Sequence, residues 1–251
     1  MQVQILDNRQ ALGETAAADI AESLRAVLSA KDRAVILLAA APSQNETLTA
    51  LAAAPGINWT RITALHLDEY LGLPEAAPAS FRRYVREHVV TPLGIREFHG
   101  LAGDAADPAA ECARYARLLA EQQPDLALLG IGENGHLAFI DPPWCNFADP
   151  DLVRVVPLDD ACRTQQVADG CFSQLEDVPK QALSLTIPAM LRTPHLFVMV
   201  PGARKADAVR AALEGPLTTA CPASILRTHA GVRLYLDRDS AGRLTTSWVS
   251  G

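Results

Sequence analysis

Leu126-Ala127-Leu128-Leu129-Gly130-Ile131-Gly132-Glu133-Asn134-Gly135-His136 is the stretch that decides the fold class. A continuous aliphatic run gives way, without a spacer, to glycines and polar side chains. A run that is apolar at every position, rather than at every second one, suits a strand buried on both faces of a parallel sheet. The same arrangement recurs on either side of it. Residues 34–40 are aliphatic and lead into Ala41-Pro42-Ser43-Gln44-Asn45, residues 62–67 lead into Asp68-Glu69-Tyr70, and residues 196–200 lead through Pro201 into Gly202-Ala203-Arg204-Lys205. Residues 152–158 and 232–236 complete the set of strand candidates.

Segments of helical period lie between these runs, at residues 11–29, 44–53, 78–90, 108–122, 179–191 and 203–213. The β-α-β rhythm predicts an α/β fold with three layers, a Rossmann-like, mostly parallel sheet with helices on both faces. No repeat, low-complexity tract or linker interrupts it, so residues 1–251 read as a single domain. The stretch 141–151, around Trp144, has no clear element and reads as an active-site loop or lid.

In an open parallel sheet the carboxyl ends of the strands line one edge, and ligands bind in the crevice there. The four polar clusters therefore converge. His136 leaves a turn with three glycines, and Asp141 follows five residues on. A carboxylate beside an imidazole fixes its tautomer and raises its basicity, which makes a general acid or base near neutral pH. The plain structural alternative is a histidine that merely caps the turn. Asp68 and Glu69 are adjacent acids at a strand end, where burying both is costly, so one is expected in the crevice and the other in solvent or at a helix end. A desolvated carboxylate there could take a proton from carbon, though a solvated turn explains the pair equally well. Lys205 opens a helix against the helix dipole, a placement that an anion would repair. Ser43, Gln44 and Asn45 offer hydroxyl and amide groups to an oxygen-rich ligand, or simply cap the next helix. His66 reads as a hydrogen-bonded core residue.

Composition excludes several classes. The net charge of −7 argues against nucleic acid as a partner. No apolar run reaches the ~18 residues of a membrane span. The first nine residues show no leader pattern, so a cytoplasmic protein is expected. The five cysteines form no CxxC pair and no metal-like spacing, which reads as free thiols, with no metal site expected. A homo-oligomer is left open.

The chain resembles the glucosamine-6-phosphate deaminase/isomerase family, in the broad group that includes 6-phosphogluconolactonases. Leu67-Asp68-Glu69-Tyr70-Leu71-Gly72-Leu73-Pro74 is similar to the family's DEYxGLP segment, with Ser80-Phe81-Arg82-Arg83-Tyr84 following. Residues 130–142 resemble its GxGxxGHIxFNEP loop. Val178-Pro179 with Ala182-Leu183 resembles its VPxxAL segment, and residues 202–215 its GxxKAxAxxxxxEG segment. The similarity runs from about residue 34 to residue 237.

The resemblance implies a hydrolase/isomerase that needs neither metal nor organic cofactor and acts on a small-molecule sugar phosphate. It implies Asp68 as the base moving a proton from C2 to C1 of an opened amino sugar. It implies His136 as the acid that opens the ring, oriented by Asp141 where relatives have Glu, with Asn134 in the same catalytic group. Ser43, Gln44, Asn45 and Lys205 would hold the phosphate. No arginine aligns with the family's second phosphate contact near residues 169–172, and Arg163, from a shifted loop, is the substitute. Two departures stand out: Ala41-Pro42-Ser43-Gln44-Asn45-Glu46-Thr47 replaces a glycine-rich phosphate loop, and Ile140 replaces the Asn before the acid. The family's allosteric site is not recognisable in residues 144–154. Two other functions compete: a sugar-phosphate lactonase in which His136 activates water, and a non-catalytic sugar-phosphate sensor.

Overall fold

The computed structural model describes residues 1–245. The chain enters through β1 (Gln2–Leu6) and α1 (Arg9–Ala30), whose start is capped by the Asn8 side chain accepting from the Ala11 N–H at 2.9 Å. Leu12, Ala16, Ile20, Leu24 and Leu28 are spaced by four residues, so they form one buried stripe on α1. Next come β2 (Ala34–Leu38), α2 (Asn45–Ala52), β3 (Ile62–His66), β4 (Asp68–Tyr70), α3 (Phe81–Val85), α4 (Thr91–Leu93), β5 (Glu97–His99) and α5 (Pro108–Gln122). The second half runs β6 (Leu126–Leu129), β7 (Val153–Pro157), α6 (Asp160–Ala168), β8 (Gln181–Leu185), α7 (Ile187–Leu191), β9 (His195–Val200), α8 (Ala206–Glu214) and β10 (Val232–Asp237).

Seven strands form one sheet in the order β1-β10-β9-β6-β2-β3-β5, and every pairing in it is parallel. β2, β3 and β6 are buried at every position, and apart from Thr63 and His66 in β3 their sequences are aliphatic. From β2 the chain builds outward through β3 to β5, then returns to the other side of β2 with β6 and builds outward through β9 to β10. The connections reverse between β2 and β6, and in open α/β sheets that reversal opens the ligand crevice. No helix among the described residues is long and apolar enough to cross a membrane.

The structure corrects the sequence reading in several places. Residues 152–158 do form a strand, but β7 belongs to a separate antiparallel sheet, in the order β4-β8-β7. The helix expected over 179–191 is a strand, β8, followed by the five-residue α7. Gln181-Ala182-Leu183-Ser184-Leu185 is buried after its first residue, and backbone partners on both β4 and β7 outweigh its helical propensity. Asp68-Glu69-Tyr70 is not a turn but β4 itself. After β3 the chain leaves the large sheet at Leu67, whose N–H donates to the Leu38 carbonyl of that sheet at 3.2 Å while its carbonyl accepts from Leu185 of the small one at 2.9 Å. Asp68 is thereby fixed where the two sheets meet. The helix expected over 78–90 starts at Phe81, where the Ser80 hydroxyl caps the Arg83 N–H at 3.3 Å. β1 and β5, at the two edges of the large sheet, were not foreseen.

Candidate active site

The carboxyl ends of β2, β3, β6 and β9 border one pocket, lined among others by Ser43, Asp68, Gly130, His136 and Lys205. Asp68 and His136 are remote in sequence and share this wall. Asp68 is nearly buried, and its carboxyl receives no hydrogen bond among the described residues. Burial, with the neighbouring Glu69 charge, pushes its pKa up to about 8. Glu69 takes the other expected place, at a helix end. Its carboxylate accepts from the Phe81 and Arg82 N–H groups and the Ser80 hydroxyl at 2.8–3.1 Å, anchoring the start of α3. Burial raises its pKa, opposed by those hydrogen bonds.

His136 is held from behind. Its Nδ1 lies 2.8 Å from Asn134 Oδ1 and 3.2 Å from Asp141 Oδ1. Both are acceptors, so Nδ1 carries the proton, and Nε2, which makes no hydrogen bond among the described residues, is the nitrogen free to exchange one. Asn134 Nδ2 donates to Asp141 Oδ1 at 2.9 Å, and the Asp159 N–H donates to Asp141 Oδ2 at 3.0 Å. Burial favours a protonated Asp141, but the hydrogen bond and charge of His136, with Asn134 and the Asp159 N–H, outweigh it and hold the carboxyl below its ordinary value. Asn134 and Asp141 do not line the pocket. They touch the imidazole instead. Cys162 Sγ, His136 and Asp141 offer ligand atoms within 4.8 Å of one another, but Nδ1 and both Asp141 oxygens are already hydrogen-bonded.

The local backbone is shaped for this histidine. A Cβ on Gly132 would sit 2.2–2.4 Å from three imidazole atoms, so only glycine lets the ring lie against the turn. Ala138, also on the pocket, has φ of 51°, in the left-handed region that disfavours residues with a Cβ. The Phe139 N–H, donating to Ser184 Oγ at 3.1 Å, pins that strained segment onto β8.

Lys205 is 9% exposed, lines the pocket and makes no ion pair among the described residues. Desolvation lowers its pKa, with Asp169 and Glu133 opposing, so an anion in the pocket would relieve an uncompensated buried cation. Ser43 stands on the lining nearby. The other phosphate candidates are corrected. Gln44 is fully buried and donates to Ser43 Oγ and the Leu129 carbonyl, and Asn45 is exposed and accepts from the Tyr84 hydroxyl, so neither reaches the lining. Arg163 is also absent from it. Its guanidinium is spent on Asp160 at 3.0 Å and on the Leu175 and Val178 carbonyls. Residues 142–151 contribute nothing to the lining, and Trp144 is 48% exposed, so this segment is not a lid over the pocket.

Sequence reasoning missed Arg9, Arg204, Gln165 and Gln166, all on the pocket wall. None belongs to a polar cluster after an aliphatic run except Arg204, which sits beside Lys205 and was given no role. His66 is the core residue expected: Nε2 accepts from the Leu101 N–H at 2.8 Å, and burial, with the Arg82 charge, lowers its pKa to about 3. All five cysteines are free thiols.

Comparison with known proteins fits this geometry. The profile of the family described as glucosamine-6-phosphate isomerases/6-phosphogluconolactonase matches residues 7–235. Glucosamine-6-phosphate deaminase of Streptococcus suis is 34% identical over 244 residues, covering 97% of this chain and 100% of the relative. That of Exiguobacterium sibiricum is 34% identical over 189 residues, 75% of this chain and 73% of the relative. The structure of a monomeric glucosamine-6-phosphate deaminase superposes with a TM-score of 0.89 at 30% identity, covering 96% of this chain and 99% of that one. A 6-phosphogluconolactonase from Thermotoga maritima superposes with a TM-score of 0.75 at 19% identity, covering 94% and 98%, a likeness of fold alone.

Proposed function

Because the chain belongs to the family of glucosamine-6-phosphate isomerases and 6-phosphogluconolactonases, we propose that it is a deaminase/isomerase converting glucosamine 6-phosphate and water to fructose 6-phosphate and ammonia. The observation that carries this reading is a desolvated, unpartnered Asp68 carboxyl facing the same pocket as a buttressed His136 and an uncompensated Lys205.

The chemistry follows from elementary balance. His136 takes the C1 hydroxyl proton on Nε2 and gives it to the ring oxygen, which opens the hemiacetal to a C1 aldehyde with an amine on C2. Asp68 removes the C2 proton and returns it to C1 while one amine proton passes to the C1 oxygen, leaving a C1 hydroxyl and a C2 imine. Water adds to the imine, ammonia leaves, and C2 becomes the ketone. A carboxyl with a pKa raised to about 8 suits both halves of that transfer, because it is a stronger base than an ordinary carboxylate and can still release the proton to C1. Lys205 and Ser43 bind the phosphate. Asn134 and Asp141 keep the imidazole in the tautomer that presents Nε2.

The test measures ammonia and fructose 6-phosphate together from the purified protein, with Asp68→Asn and His136→Ala as controls. Equal yields of both products, lost in both variants, support the proposal. A lactonase has no task for Asp68, so hydrolysis of a sugar-phosphate lactone that survives Asp68→Asn would overturn it. Tight binding of sugar phosphate without turnover would point instead to a sensor.

A further inference from the structure

We propose that Arg9 is the second cation of the phosphate subsite, a role that rests on reading Lys205 as the first. The turn Ala41-Pro42-Ser43 carries no glycine amide, and Pro42 has no N–H at all, so this chain offers an anion few backbone donors there. Charge from side chains must make up the difference. Three cationic side chains line the pocket: Arg9, Arg204 and Lys205. Arg204 is tied between Asp169 at 2.6 Å and Glu133 at 3.2 Å, and two carboxylates leave it little to give.

Arg9 is held differently. It opens α1, and helix packing brings it to the turn. One turn on, a Cβ at Gly13 would lie 2.6 Å from Glu46 Cβ and 2.9 Å from the Thr47 nitrogen, so α1 meets α2 almost backbone to backbone. That contact sets the guanidinium over residues 42–44, where Nη2 donates to the Pro42 carbonyl. Nε lies 2.6 Å from Glu46 Oε1, but the pair is not aligned as a hydrogen bond. Nε and the second Glu46 oxygen are both buried without a hydrogen-bond partner among the described residues. The guanidinium is thus positioned without being saturated, and its planar fork suits phosphate oxygens. With 42% of the Arg9 side chain exposed, the pair with Glu46 contributes little and exchanges readily for a doubly charged phosphate.

The experiment measures KM and kcat for the sugar phosphate, and inhibition by inorganic phosphate, in the full chain and in Arg9→Gln, Arg9→Lys and Lys205→Met. One charged hydrogen bond to phosphate lost in Arg9→Gln raises KM and the phosphate inhibition constant roughly 10- to 100-fold, with the loss falling on KM more than on kcat. Arg9→Lys recovers part of it, keeping charge but not the fork. KM and inhibition constants in Arg9→Gln that match wild type overturn the role of Arg9, even where Lys205→Met weakens both. A wild-type protein that phosphate does not inhibit, or a Lys205→Met variant that binds it undiminished, removes the underlying reading as well. Should Arg9→Gln fail to fold, Glu46→Gln decides: freeing Arg9 from its carboxylate tightens phosphate binding, and unchanged binding refutes the proposal.

Discussion

Replacing Asp68 with Asn is expected to make the protein more stable and far less active. The folded-state pKa of Asp68 is raised from 3.8 to about 8, so between those values the folded chain binds a proton that the unfolded chain has lost. Stability therefore falls as pH rises through that window, and the whole penalty is present above pH 8. About four pH units at 1.36 kcal/mol each set a ceiling on the order of 5 kcal/mol. Water entering the open pocket on ionisation relieves much of that, and the usual cost of a buried unpartnered polar group, about 1–3 kcal/mol, is the expected gain at pH 9. Asparagine keeps the shape and cannot ionise. Denaturant unfolding of both proteins at pH 5, 7 and 9 should show a stability gap in favour of Asp68→Asn that widens with pH. Over the same range the wild-type kcat/KM should rise and level off above about pH 8, because the base must be ionised to work. Loss of the base should cost about 10²- to 10⁴-fold in kcat/KM. A gap that is flat in pH, or a variant less stable than wild type at pH 9, would refute the claim that Asp68 is desolvated.

Three other substitutions probe the same site. Gly132→Ala puts a methyl group where the His136 ring lies, and an imidazole displaced by about 1 Å should lose roughly 10²-fold in kcat with the circular dichroism of the fold retained; wild-type turnover would contradict the packing account. Asp141→Asn offers Nδ1 an amide in place of a carboxylate, so kcat should fall by about 10²-fold or more with KM little changed, whereas a rise in KM alone would mean that Asp141 touches substrate. Lys205→Met removes a buried cation with no ion pair among the described residues, so melting temperature should rise while KM for the phosphorylated sugar climbs about tenfold or more; an unchanged KM would place the phosphate elsewhere.

The centre of the large sheet was legible because strands covered on both faces are predominantly aliphatic, as β2 and β6 are throughout and β3 is apart from Thr63 and His66. The edges were not. β1 alternates and β5 has three half-buried residues, so neither writes a continuous apolar run. β8 reads as part of a helix because five residues cannot separate a period of 2 from one of 3.6, and only its partners β4 and β7 decide. In the site, Asp68, His136, Ser43 and Lys205 were legible for one reason: each follows an aliphatic run, and topology gathers the ends of such runs. Arg163 was misread because nothing in its neighbours announces that the Leu175 and Val178 carbonyls will claim it. Arg9 could not be read at all. It reaches the pocket through the packing of α1 on α2 at Gly13, a contact between segments that carry no shared motif.

Proton transfer from C2 by Asp68 is the claim on which the rest depends, and the direct measurement is a kinetic isotope effect with glucosamine 6-phosphate deuterated at C2. The account predicts a primary effect on turnover, ammonia and fructose 6-phosphate formed in equal amounts, and no conversion by Asp68→Asn. Turnover that ignores the label and persists in Asp68→Asn would contradict it.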